Sequence, residues 1–276
     1  MWTLTGFADE ISPDLEEQLE TLDAESMRFM ELRSVWNKNV LDLTDRELGG
    51  IKTALAERGI GVSSIGSPIG KIPVADPFEP HVERFRRALQ AAHILGAPYV
   101  RVFSFFIPKG EDPTSYRDEV LGRMGALARE AEGSGVTLLH ENEKEIYGDV
   151  PERCREILEE VGSPALRAAW DAANFVQCGV TRPYSEGFEA LRPFVEYVHV
   201  KDAVAETGGV VPAGEGDGEL RETVSALRAS GFDGFFSLEP HLASAGSYSG
   251  FSGPDLFSRA AGAFKGLLRE QDIEWR

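Results

Sequence analysis

The sequence has few cysteines and no long apolar run. Only two cysteines, Cys154 and Cys178, occur among 276 residues, and their spacing matches neither a metal-ligand nor a redox motif. This scarcity is typical of a reducing compartment and argues against a disulfide framework. No apolar stretch is long enough to span a bilayer, and the opening residues MWTLTGFADE lack a signal-peptide pattern. We therefore expect a soluble, cytoplasmic protein that does not insert into a membrane.

Basic residues are scarce relative to acidic ones. The chain has 28 Lys and Arg against 46 Asp and Glu, which gives a formal net charge of −18. An acidic surface repels phosphate backbones, and no dense cluster of Lys or Arg offsets this repulsion. The composition therefore argues against nucleic acid as a partner. Because no Gly/Ser-rich linker divides the chain, we expect a single domain over residues 1–276.

A short β-type run followed by an amphipathic helical stretch recurs along the chain. The β-type runs lie at residues 2–7, 27–33, 59–66, 99–106, 135–141, 166–171, 195–201 and 234–239. Helix-start signals lie between them, among them Pro13 after Ser12 as a first helical position, and a capping box of Thr44 with Glu47. Strict alternation predicts parallel strands with right-handed crossovers. Eight such units predict an α/β fold, a single closed (β/α)8 barrel.

The last four β-type runs end in side chains that can bind a metal ion. These are Glu141, Asp171, His199 and Glu239. The carboxyl ends of barrel strands converge on one mouth, and neighbouring strands lie about 4.8 Å apart, so four such side chains can surround one point. A lone carboxylate there is as often a helix N-cap or half of an ion pair, but several together repel one another unless a cation neutralises them. We expect one divalent ion, Mn²⁺ first, with Mg²⁺, Co²⁺ or Zn²⁺ as alternatives.

Further side chains follow the predicted strands and are candidate substrate contacts. They are Glu31, Trp36, Lys201, His241 and Glu215. Simpler interpretations stand beside these: Trp36 closes the barrel mouth, Lys201 pairs with Asp202, and Glu215 lies on a plain surface loop. The polar stretch SYSGFSGPD, residues 247–255, is a candidate lid or subunit contact.

The order of these motifs resembles a known superfamily. From GFADEISPDLEEQL and MELR through HENE, WDAANF and VHVKD to GEGDGEL and GFFSLEPHL, the chain is similar to the xylose-isomerase-like TIM barrels. That superfamily includes sugar-phosphate isomerases and epimerases, ketose 3-epimerases, inosose dehydratases and endonuclease IV. The resemblance implies that one divalent metal is bound by a Glu, an Asp, a His and a Glu on successive strands, here Glu141, Asp171, His199 and Glu239. It also implies that the two glutamates flank the substrate and exchange its proton.

Two departures from the superfamily's epimerases concern substrate contacts. Those epimerases often have a histidine three residues after the metal aspartate, where this chain has Asn174, which we keep as a substrate-binding candidate. Many also have an arginine shortly after the metal histidine, where this chain has Lys201 and Asp202. The resemblance further implies a homodimer or a homotetramer.

The expected chemistry begins at a carbonyl compound. A metal that chelates a carbonyl oxygen and a neighbouring hydroxyl stabilises an enediolate, and a carboxylate can then remove the adjacent proton. Because Glu141 and Glu239 face each other from strands five and eight, we expect a metal-dependent isomerase or epimerase of a ketose, sugar phosphate or cyclitol. The alternative is a lyase of the same superfamily, either an inosose- or dehydroshikimate-type dehydratase or a 3-keto-glycoside β-eliminase.

Two further alternatives have less support. A DNA-repair endonuclease of the same superfamily needs three metals and more histidines than the five in this acidic chain. A sugar-binding barrel without chemistry would not need both Glu141 and Glu239.

Overall fold

The computed structural model describes residues 1–245 and 250–276, and its centre is a sheet of eight parallel strands. The strands are β1 (Thr3–Gly6), β2 (Phe29–Leu32), β3 (Gly61–Ile69), β4 (Tyr99–Val102), β5 (Thr137–Glu141), β6 (Leu166–Asp171), β7 (Val195–Val200) and β8 (Phe235–Leu238). Each strand from β2 to β7 pairs with the next one along the chain, and β8 also pairs with β1. A parallel bridge from Phe7 to Glu31 links β1 to β2 and brings the ends of the sheet together. The predicted (β/α)8 barrel is confirmed.

Helices follow every strand and cover the outside of the sheet. They are α1 (Leu15–Ala24), α2 (Asp45–Glu57), α3 (Glu79–Leu95), α4 (Arg117–Ala131), α5 (Pro151–Val161), α6 (Ala172–Gln177), α7 (Glu189–Leu191), α8 (Leu220–Ser230) and α9 (Pro254–Glu270). The connection after β6 is the least regular, because a π-helical turn, Tyr184–Phe188, separates α6 from α7. In the described part of the chain, no helix combines the length and the apolar character needed to cross a bilayer.

The predicted starts of two helices have different outcomes. The capping box of Thr44 and Glu47 is present at α2. The expected first helical position at Pro13 is wrong, because α1 is capped by Asp14 and begins at Leu15. The Asp14 carboxylate accepts hydrogen bonds from two backbone N–H groups of the first turn. Asp14 is therefore the N-cap in place of Ser12, and the helix begins two residues after Pro13.

Strand periodicity decides which side chains point into the barrel. Successive side chains of a strand face opposite sides, so residues two apart share a face. Leu139, Ala169 and Tyr197 form a small buried apolar cluster packed against partly buried aromatic residues of β4 and β8. Two residues further along the same three strands are Glu141, Asp171 and His199. The apolar layer therefore supports a polar layer at the carboxyl end of the barrel.

Three short antiparallel hairpins extend from this end of the barrel. They pair residues 34–35 with 38–39, 202–203 with 210–211, and 244–245 with 250–251. They follow β2, β7 and β8 respectively, so they lie around the barrel mouth. Of the predicted lid at residues 247–255, residues 247–249 lie outside the described residues.

Candidate metal centre

The four strand-end side chains lie together as predicted. One ligand atom from each of Glu141, Asp171, His199 and Glu239 lies within 4.8 Å of the other three. All four residues are buried, with 3% or less of their surface exposed. Chain order separates them by up to 98 residues, and barrel closure brings them to one point. Three carboxylates and one imidazole at this spacing are a donor set that fits a single divalent cation.

Asp171 has a second role as the N-cap of helix α6. Its Oδ1 accepts a hydrogen bond of 2.9 Å from the backbone N–H of Asn174, so that oxygen belongs to the helix start. Its Oδ2 faces the ammonium group of Lys201 at 2.8 Å. Burial raises the pKa of Asp171 to about 6, although Lys201 opposes the rise. One oxygen of Asp171 therefore caps the helix, as the simpler interpretation predicts, and the other lies in the group of four side chains.

The His199 ring lies between two carboxylates. Its Nδ1 is 3.1 Å from Glu141 Oε1, and its Nε2 is 3.3 Å from Glu31 Oε2. Among the described residues, neither ring nitrogen has a partner with hydrogen-bond geometry. Burial lowers the pKa of His199, but the two carboxylates outweigh it and raise the pKa to about 10. Buried ring nitrogens without a hydrogen bond, directed at carboxylates, fit an imidazole that binds a metal through one nitrogen.

Three permanently positive side chains surround the cluster. Lys201 Nζ lies 2.6 Å from Glu239 Oε2. Arg33 Nη1 lies 2.9 Å from Glu239 Oε1, and Arg101 Nη1 lies 3.1 Å from Glu141 Oε2 and 3.6 Å from Glu239 Oε1. Burial alone would raise the pKa of both glutamates. For Glu141, the charges of His199 and Arg101 outweigh burial and lower the pKa to about 2. For Glu239, the charges of Lys201 and His241 outweigh burial and lower the pKa well below its usual range.

Glu10 forms a second buried group with Glu239 and His241. Its carboxylate is fully buried, accepts the backbone N–H of His241 at 2.7 Å, and lies 3.0 Å from His241 Nε2. The same carboxylate accepts a hydrogen bond of 3.0 Å from Ser252 Oγ. Arg33 already supplies a positive charge beside this group, because its Nη2 lies 3.7 Å from Glu10 Oε1. We therefore treat it as a clamp that joins the loop after β1 to the loop after β8.

The predicted substrate contacts fall into two groups. Those next to the cluster are Glu31, Asn174, Lys201 and His241. Asn174 Nδ2 donates to Glu141 Oε1 at 3.1 Å, and Glu31 is fully buried on β2 beside the His199 ring. Trp36 lies on the hairpin after β2 and is 41% exposed, and Glu215 is an exposed loop residue paired with Arg259 of α9.

Lys201 does not pair with Asp202, the simpler interpretation of the sequence. The Asp202 carboxylate accepts backbone N–H groups of Gly214, Gly216 and Gly218 at 2.8–3.1 Å. Consecutive side chains of an extended segment point in opposite directions, so Lys201 faces the barrel centre while Asp202 faces the glycine-rich loop. That interpretation was wrong for this geometric reason.

Two charged residues of the site were not predicted from the sequence. Arg101 lies within β4 in YVRVF, where an arginine in a buried strand is itself a signal of an internal ion pair. Glu10 lies in the FADE stretch after β1, where two acidic residues follow a strand end. The predicted site residues follow the second and the last four β-type runs, so neither Arg101 nor Glu10 is among them.

By its fold and its site, the protein is a (β/α)8 barrel with buried acidic and histidine side chains at the carboxyl end of its strands. The sequence profile of the xylose isomerase-like TIM barrel family matches residues 20–265. The chain therefore belongs to that family.

One curated relative is a 2-epi-5-epi-valiolone 7-phosphate 2-epimerase of an Actinoplanes species. It is 34% identical over 145 residues, which are 52% of this chain and 51% of the relative. Another is an uncharacterised protein of Methanocaldococcus jannaschii, 26% identical over 165 residues, which are 57% of this chain and 56% of that protein. The chain thus spans about half the length of the curated relatives it matches.

Solved structures share the fold along nearly the whole chain. A D-tagatose 3-epimerase-like protein has a TM-score of 0.78 at 17% identity, with 98% of both chains covered. The IolI protein, whose structure holds a bound zinc atom, also has a TM-score of 0.78 at 17% identity, with 97% of this chain and 98% of that chain covered. At such identities the likeness concerns the fold alone.

Proposed function

We propose that this protein is a divalent-metal-dependent epimerase or isomerase of a sugar or cyclitol. The observation that carries the proposal is the group of four buried ligand atoms within 4.8 Å, two of which belong to glutamates on β5 and β8. Glu141, Asp171, His199 and Glu239 are the proposed ligands, and Mn²⁺ is the first ion to test. The relative named as a 2-epi-5-epi-valiolone 7-phosphate 2-epimerase supports this class of reaction over the half of the chain that it matches.

Glu141 and Glu239 are the proposed acid–base pair. A divalent ion bound at the site would supply a Lewis acid for a substrate carbonyl. One glutamate takes the proton beside the carbonyl as general base, and the other returns a proton to the opposite face as general acid. Since both glutamates have a lowered pKa in the metal-free protein, the one that acts as the acid first takes up its proton from water. The pair exchanges these roles when the reaction runs in the other direction. Return of the proton to the neighbouring carbon would give isomerisation instead of epimerisation.

Two side chains predicted as substrate contacts have a further proposed role next to the ligands. Glu31 lies 3.3 Å from His199 Nε2, so we propose that it orients the imidazole and favours one tautomer. Asn174 donates to Glu141 Oε1 and also to the backbone oxygen of Asn142, so it holds the Glu141 carboxylate in place. Both side chains then act on the substrate through a ligand rather than by touching it.

Hydrogen exchange in deuterated water tests the acid–base pair. Mn²⁺-loaded protein is incubated with ketoses, inososes and 3-keto-glycosides, and deuterium in the recovered compounds is measured by mass spectrometry. Glu141→Gln and Glu239→Gln should each slow exchange by about 10²–10⁴-fold, the usual contribution of a general base. Glu196→Gln is the matched control, because Glu196 pairs with Arg167 near the other end of β7 and is half-exposed.

The outcomes separate the candidate functions. Exchange without loss of an oxygen substituent supports the epimerase or isomerase. A product with a new ultraviolet-absorbing unsaturated carbonyl would replace it with the lyase. Wild-type exchange rates in both Glu141→Gln and Glu239→Gln would overturn the proposed pair.

A further inference from the structure

Lys201 is a buried cation that contacts carboxylate oxygens of two proposed metal ligands, Asp171 and Glu239. Its ammonium group lies 2.8 Å from Asp171 Oδ2 and 2.6 Å from Glu239 Oε2, and the residue is 3% exposed. We propose that Lys201 is a built-in counter-ion that holds these two carboxylates together without metal and competes with the divalent ion for them. This inference rests on the proposed metal site.

The oxygens of the two carboxylates are divided between different partners. Asp171 Oδ1 accepts the N–H that starts helix α6, so Oδ2 is the oxygen left for a cation, and Lys201 faces it. Glu239 Oε1 accepts a hydrogen bond from Arg33, and Oε2 accepts one from Lys201. A metal ion that recruits Asp171 and Glu239 therefore has to share or displace the contacts of one lysine.

The positive charge of Lys201 has opposite effects on the metal-free protein, which it stabilises, and on the metal-bound protein, which it destabilises. Without metal, its positive charge offsets two buried carboxylates. Its removal would take this cation from Asp171 and would leave Glu239 with its other partners alone, Arg33 among them, which destabilises the fold. With metal bound, the ammonium group and the ion are like charges in a buried site, so the lysine lowers the metal affinity. A side chain with a purely structural role would not raise the metal affinity when it is removed.

The test compares wild type, Lys201→Met and Lys265→Met. Lys265 is the matched control, because it makes a partly buried ion pair of 2.6 Å with Glu25 away from the barrel mouth. Mn²⁺ dissociation constants are measured by isothermal titration calorimetry, and unfolding midpoints are measured in EDTA and in saturating Mn²⁺. We expect Lys201→Met to bind Mn²⁺ at least about tenfold more tightly, as the loss of one buried like-charge repulsion predicts. Its midpoint in EDTA should be lower than that of wild type, and Mn²⁺ should raise it by more.

Each outcome decides the inference. Equal or weaker Mn²⁺ binding by Lys201→Met, with wild-type binding intact, overturns the counter-ion role and leaves the metal site standing. Failure of wild type to bind Mn²⁺, Mg²⁺, Co²⁺ or Zn²⁺ overturns the proposed site and this inference together. If Lys201→Met does not fold, Lys201→Gln is used instead, because it removes the charge and keeps a hydrogen-bond donor. Lys201→Arg keeps the charge and should show no gain in affinity.

Discussion

Replacement of Arg33 by methionine gives the sharpest test of how the buried charges are held. Arg33 is 4% exposed and contacts Asp9 at 2.8 Å and Glu239 at 2.9 Å. Arg33→Met keeps much of the side-chain volume but leaves both carboxylates without this partner. Loss of one member of a buried ion pair typically costs about 3–5 kcal/mol, so the free energy of unfolding should fall by about that amount. Arg86→Met should change the free energy of unfolding little, because Arg86 pairs with Glu130 on the surface, where solvent screens the ion pair.

The assay is equilibrium unfolding in urea, followed by circular dichroism in the presence of EDTA. EDTA is needed because a bound divalent ion would supply compensating charge near Glu239 and mask the loss. Arg33→Met combined with Asp9→Asn should recover part of the stability, since the second change removes one uncompensated charge. If Arg33→Met and Arg86→Met differ by less than about 1 kcal/mol, the buried charges are compensated in another way and the reasoning is refuted.

Two further predictions concern the loop after β3. Burial lowers the pKa of His81, and the positive charges of two nearby arginines lower it further, from 6.5 to about 4. The His81 Nε2 accepts a hydrogen bond of 2.7 Å from the Gly70 N–H. The contribution of neutral His81 to the free energy of unfolding is therefore fully present above pH 6.5 and is lost as the pH falls towards 4. Wild type should lose about 1–2 kcal/mol more than His81→Gln between pH 7 and 5 in urea titrations, and parallel losses would contradict this. Gly70→Ala should destabilise the protein strongly, because the φ angle of Gly70 is +92° and a Cβ atom there would lie 1.9 Å from the Phe103 backbone oxygen. Gly49→Ala in α2 is the control: its Cβ meets no neighbour, so it should stabilise the protein by about 0.5–1 kcal/mol. Equal melting temperatures of the two variants would refute this.

The barrel was predictable because its signals are local. Alternation of β-type and helical patterns depends on residues a few positions apart, and each of the eight predicted runs overlaps an observed strand. The predicted run at 166–171 coincides with β6, and the run at 99–106 is longer than β4, which ends at Val102. The convergence of strand ends follows from the barrel itself, so the meeting of Glu141 with Glu239 was predictable as well.

The ion pairs around the site were not predictable from local patterns. Arg33 and Glu239 are 206 positions apart, and Arg101 and Glu141 are 40 apart. Which cation meets which carboxylate depends on strand register and side-chain length, because several acceptors lie within reach of each guanidinium group. Glu10 illustrates the limit. The sequence places it after β1, but its contact with His241, 231 positions further on, depends on the path of the loop after β8.

The observed cations also change the physical basis of the metal proposal. From the sequence alone, clustered carboxylates are expected to repel one another unless a metal neutralises them. In the described part of the chain, Arg33, Arg101 and Lys201 already offset much of that repulsion, so charge alone does not demand an ion. The arrangement of donor atoms supports an ion more strongly, because both His199 ring nitrogens are buried without hydrogen-bond geometry to the described residues. Asp171 Oδ2 is likewise without a hydrogen bond there, although it forms an ion pair with Lys201. A protein that compensates its carboxylates in this way is expected to fold before it binds metal, and metal affinity then depends on how easily the lysine moves aside.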